Sequence, residues 1–329
     1  MIWLKRGLAL IALAVVVYLF WPLLGELRAA ADLFKTARWG WLPAALLIQV
    51  ISYCFLTWLN ALALQPFAGH IGFGQLMALL TSMAFIEVAV PSAGASGVAL
   101  RARLLGKYGY TVEASTFTLV LETIFLVMAT VSIALLALSY LVRSGDLPGA
   151  EVSRLALLGL GVIGLVWGGW HLISDQQLSR RLVAKLVTTW NRMAGRLPRL
   201  DLQSLEARLT AFQSGLAQLQ TIPLWRFFLA AYARVILDVV TLEACFLLLG
   251  HSVAPDTLFT GYGMMLLLSG LAALPGGLGM ADASLPVVFH RLGVPGSVAL
   301  AAGLTYRLIA FWLLRFIGFI NWQVLESRS

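Results

Sequence analysis

Little in this sequence suits a soluble catalyst. Only two cysteines occur among 329 residues, Cys54 and Cys245, each inside an apolar run, which argues against a disulfide framework or a cysteine-built zinc site. The four histidines, His70, His171, His251 and His290, stand apart without partners at metal-ligand spacing. Charged residues make up 12% of the chain, and the longest polar stretch is 175–221, so the sequence holds no separate soluble catalytic domain. No P-loop appears, against direct coupling to ATP. Serines near the Gly/Pro breaks lack a nearby His to activate them. Nor is there a soluble surface of interleaved basic and aromatic residues that would suit nucleic acid. A non-enzymatic protein with no cofactor and no metal is expected.

What is abundant is apolar sequence. Hydrophobic residues make up 60% of the chain and the mean hydropathy is +0.89, which reads as an all-α polytopic membrane protein. Eight apolar runs fall at about 7–24, 41–64, 73–90, 114–142, 154–174, 223–249, 258–274 and 297–320. The first follows Lys5 and Arg6 and reads as an uncleaved anchor or a signal peptide, with the N-terminus cytoplasmic either way. If all eight runs crossed the bilayer, Arg180, Arg181, Lys185, Arg192, Arg196, Arg199 and Arg208 would lie outside, against the positive-inside bias. Two re-entrant helical hairpins remove the conflict. One bends at Pro91-Ser92-Ala93-Gly94 and the other at Pro275-Gly276-Gly277-Leu278-Gly279, where Pro and Gly break the helix. About six full spans then remain, with both termini cytoplasmic. The second break also suits a Gly-rich loop in water between two spanning helices.

The two halves resemble one another. A shift of 184 residues places Trp41 on Trp225, Pro91 on Pro275, Lys107 on Arg291 and Gly109 on Gly293. The chain therefore reads as a single transmembrane domain, 1–329, of two inverted repeats, about 1–142 and 153–325. Between them, 175–221 is basic and amphipathic. It suits a helix on the anionic inner leaflet and, equally, a cytoplasmic helical hairpin docked on the spans.

Ionisable residues inside spans carry the functional expectations, since each costs about 2.5–3.5 kcal/mol at mid-depth. Arg234 and Asp238 lie one helical turn apart and pair as a gate or as a structural ion pair. Glu87 and Asp282 sit near the two breaks, and Glu122 and Arg307 part-way along pseudo-equivalent spans. Together they ring a polar chamber of mixed sign, suited to a zwitterionic or amine-bearing phosphate headgroup; mutual neutralisation of Arg307 by Glu122 or Asp282 is the plainer reading. Arg101, Arg103 and Lys107 receive a lipid phosphate or anchor the cytoplasmic side. Arg315 reads as snorkelling, and Glu243 as having no special role.

Two signatures name a family. Pro91-Ser92-Ala93-Gly94, Leu100-Arg101-Ala102-Arg103-Leu104-Leu105 and Leu121-Glu122 resemble its first half. Leu274-Pro275-Gly276-Gly277-Leu278-Gly279, Gly293-Val294-Pro295 and Leu304-Thr305-Tyr306-Arg307 resemble its second. The chain resembles the flippase-like transmembrane family typified by the N-terminal membrane region of lysylphosphatidylglycerol synthase/flippase. The resemblance implies a multi-pass protein of a bacterial-type inner membrane that moves an anionic or aminoacylated phospholipid between leaflets. Arg307 and Asp282 are then the foremost headgroup contacts, followed by Glu122, Arg101 and Glu87. Homo-oligomerisation is left open. An accessory protein or transferase acting on a lipid-linked sugar or polyprenyl phosphate is the alternative. The sequence departs from the family pattern at Thr123, where Arg is common, and at Asp282, where Glu is common; Ala95 to Val98 also lack an acid.

Overall fold

The computed structural model describes residues 24–89, 95–144, 160, 161, 164, 168, 175–193, 201–219, 222–271 and 280–327. The expected first span at 7–24, nearly all of 154–174, and the breaks Pro91, Gly94, Pro275, Gly276, Gly277 and Gly279 lie outside the described residues, as does the Asp282 side chain.

The described residues fold into helices and turns. After a short α1 (Leu24–Leu33) come α2 (Trp41–Leu64), α3 (Phe73–Ala89), α4 (Ala95–Gly106) and α5 (Val112–Ser144). Then follow α6 (Gln176–Met193), α7 (Leu202–Leu219), α8 (Leu224–Leu248), α9 (Pro255–Leu271), α10 (Met280–Arg291) and α11 (Gly296–Arg307). A π-helical segment, Leu308–Leu313, leads into α12 (Leu314–Ser327).

Length and composition sort these helices. Trp41–Leu64, Val112–Ala137 and Gly296–Leu325 are each long and apolar enough to cross a membrane. The α8 helix is as long, at 25 residues, but carries Arg234, Asp238 and Glu243 along it. By contrast α3 and α9 have 17 residues each and α4 and α10 have 12 each, below the ~20 that span a bilayer.

At the centre, α2 packs on α8 and runs antiparallel to it. Arg38 N–H bonds Leu248 O at 2.7 Å, Thr241 Oγ1 meets Gln49 Oε1 at 3.1 Å, and Ser52 meets Arg234 further along. Around this pair, α3 packs on α12 and α9 on α5. Small residues allow the close approach. A Cβ on Gly318 would collide with the Thr81 carbonyl, and one on Gly263 would sit 2.7 Å from Ala137 Cβ.

The turns after α4 and α10 are built alike. Gly109 and Gly293 hold φ of 82° and 88°. Gly109 N–H bonds Gly106 O while Tyr110 N–H reaches back to Leu105 O; Gly293 and Val294 do the same to His290 O and Phe289 O. Both are Schellman caps, which need a left-handed residue that glycine supplies without strain.

Candidate functional site

Two groups of ionisable side chains lie inside the bundle. The first gathers α4, α5 and α2. Arg101 is 1% exposed; a guanidinium withdrawn that far from water costs several kcal/mol unless its donors are met. Its Nη1 lies 2.9 Å from Glu122 Oε2, and its Nη2 bonds Asn60 Oδ1 and, at 3.0 Å, Thr118 Oγ1, while its Nε is buried without a partner. Thr118 and Asn60 spend their own protons on backbone carbonyls one turn back. Arg101 is thus enclosed, not presented to a lipid phosphate or a cytoplasmic surface as expected, and its carboxylate partner is Glu122. Arg103 on the same helix and Lys107 just past its end are exposed, and Lys107 Nζ caps Leu325 O at 3.2 Å.

The second group lies between α8, α2, α9 and the α11–α12 helix. Arg234 and Asp238 pair across one turn of α8, as their spacing predicts. Ser52 supports both, accepting from Arg234 Nη1 at 2.7 Å and lying 3.1 Å from Asp238 Oδ1. Tyr262 points its hydroxyl at Asp238 Oδ2 at 3.5 Å, and the Tyr306 ring packs edge-on against that of Tyr262, their centroids 6.3 Å apart. The Arg234 guanidinium also sits 5.0 Å from the centre of the Tyr53 ring. Arg234, Ser52 and Tyr262 therefore meet on one buried carboxylate, 8% exposed, with Tyr53 and Tyr306 packed around them.

Beside this network the π segment stacks two more cations. Arg307 Cζ lies 4.1 Å from the Phe311 ring centre and Arg315 Cζ 3.3 Å from it, in the range of attractive cation–π contacts. Arg315 does not snorkel. Its Nη1 folds back to Phe311 O at 3.0 Å, and its Nε is buried without a hydrogen-bond partner. The charges of Arg307, Arg234 and Glu87 all reach it. π turns inside α-helices often mark functional positions, and this one follows directly on Arg307. At the exposed end of α3, Glu87 is within electrostatic reach of Glu122 and Arg101 as well as Arg315. Asp282 belongs to α10 by its backbone.

Sequence reasoning brings Arg234 and Asp238 together but misses Ser52, Asn60, Tyr262 and Tyr306. The signal available was the polar set Gln49, Ser52, Thr57 and Asn60 in an otherwise apolar α2, all buried. No group of three or more His, Cys, Asp or Glu side chains suited to a metal occurs among the described residues.

Among the described residues, a bundle of long apolar helices enclosing paired and stacked charges fits an all-helical membrane protein. A family model described as the lysylphosphatidylglycerol synthase TM region matches residues 9–318, and the chain belongs to that family. It is also similar to a UPF0104 membrane protein of Methanothermobacter thermautotrophicus, with 22% identity over 324 residues, 94% of this chain and 91% of the relative.

Proposed function

We propose that this protein moves a phospholipid or modified-lipid headgroup across the bilayer, as a transporter without a chemical step. One observation carries the reading: Arg234 pairs with Asp238, and Arg307 and Arg315 stack on one Phe311 ring, within helices that are mainly apolar. Such residues are expensive in a membrane and mark substrate paths. The family's lipid-related name fits. Arginines suit the headgroup phosphate, and Glu87 and Asp282 an amine. The acyl chains stay in lipid.

The inverted-repeat plan supports this path. Shifting by 184 residues, α2 falls on α8, α3 on α9, α4 on α10, and α5 on the whole of α11–α12, each within two residues at either end. The equivalent helices α2 and α8 run antiparallel, as inverted repeats require. In this plan α3 with α4 and α9 with α10 act as the two re-entrant hairpins, one from each face. The face bearing Arg103, Lys107 and the α6 cations is the cytoplasmic one.

Reconstitution tests the proposal. Vesicles holding the purified protein and head-labelled lipids should show protein-dependent movement between leaflets for an anionic or amine-bearing phospholipid. Absence of movement across a broad lipid panel, under varied ion gradients, would contradict it.

A further inference from the structure

We infer that α6 is a docking surface for an anionic bilayer. Asp175 starts the helix by capping the N–H groups of Gln177 and Leu178 at 2.9 and 3.1 Å. One face then turns inward. Ser179 is buried and receives Gln213 Nε2 of α7 at 2.8 Å, and Val187 is buried on the same side. Behind it, α7 packs on α5 so closely that a Cβ at Gly215 would lie 2.8 Å from the Phe67 ring and 3.1 Å from that of Phe117. This fixes which way the remaining face of α6 points.

That remaining face is cationic and apolar at once. At helical spacing Arg181, Lys185 and Arg192 share one arc, all exposed, and none forms an ion pair among the described residues. The helix contains no acidic residue. Beside the arc lie Leu178 and Leu182, 41% and 36% exposed, leucines that a soluble surface gains nothing by displaying. Cations flanking an exposed leucine pair match a helix lying in the headgroup plane, leucines towards the acyl chains and cations on lipid phosphates. The surroundings agree. Arg103 and Lys107 are exposed at the end of α4, and Lys107 meets the end of α12. The partner is therefore the phosphate surface of the bilayer that holds the protein, and the assignment does not depend on lipid movement.

Hydrogen exchange of the full chain in nanodiscs tests this. Amides of 176–193 should be protected in bilayers containing phosphatidylglycerol and lose that protection in pure phosphatidylcholine or at high salt. Arg181→Gln with Lys185→Gln and Arg192→Gln should lower it by about a hundredfold, from roughly 1 kcal/mol per cation, and Leu178→Ser with Leu182→Ser should also lower it. Unchanged exchange in α2 and α8 verifies folding; if the triple variant unfolds, the salt and lipid dependence of the unaltered protein decides. Protection indifferent to lipid charge would overturn the inference. So would equal protection by soluble polyglutamate, which would indicate an acidic protein partner instead.

Discussion

Arg101 and Arg315 both lie within the bundle, and the chain treats them in opposite ways. Arg101 has a carboxylate at 2.9 Å, a threonine oxygen at 3.0 Å and the Asn60 amide oxygen around it. Arg315 has one backbone carbonyl and an aromatic face, and among the described residues no carboxylate within ion-pair distance. Two further arginines, Arg307 and Arg234, share its electrostatic neighbourhood with a single acid, Glu87, and Arg234 is already held by Asp238. Both guanidinium groups keep one buried Nε without a partner, but a cation held by a carboxylate resists change, because separating the pair strands a charge. A cation crowded by like charges gains when an anion arrives. The first arrangement suits a fastener between α4 and α5, the second a receiving site.

The contrast can be broken most forcefully at Glu122. Glu122→Leu strands Arg101 and should cost about 3–5 kcal/mol, seen as a large fall in unfolding temperature in detergent. Adding Arg101→Met should recover most of it, since replacing both members of a buried pair by apolar residues is often neutral. At the other region, Arg315→Gln should leave the unfolding temperature unchanged or raised while lipid movement per folded protein falls at least about tenfold, the loss of one charge-assisted contact. Tyr262→Phe removes a single hydroxyl from Asp238 and should cost about 0.5–1.5 kcal/mol in thermal unfolding. The matched turns compare the two halves directly: Gly109→Ala and Gly293→Ala should each cost about 1–2 kcal/mol from the left-handed backbone alone, and nearly equally, since neither added Cβ would meet an atom closer than 3.7 Å. Unequal costs would count against equivalent halves.

Much of the fold was legible in the sequence. Helix lengths follow from runs of apolar residues, so 41–64 and 73–90 emerge as Trp41–Leu64 and Phe73–Ala89. The 184-residue spacing of Gly109 and Gly293 reflects one cap geometry used twice. Of the site, Arg234 with Asp238 was readable because one helix positions both. Pairings between helices were not: nothing in one helix's pattern says that Asn60 meets Arg101, or that Ser52 supports Asp238. Arg315 misleads because a long side chain towards the end of a span ordinarily extends to water, and here the Phe311 ring and carbonyl hold it inward. The π segment also leaves no mark in composition, since Leu308–Leu313 is as apolar as its α-helical counterpart in α5.

The most direct measurement is the initial rate of lipid movement in proteoliposomes, normalised to folded protein, for Arg315→Gln beside the double substitution Arg101→Met with Glu122→Leu. The expected result is movement lost in the first and retained in the second. Movement retained in Arg315→Gln but lost in the folded double variant would contradict the assignment of the crowded arginines as the receiving site.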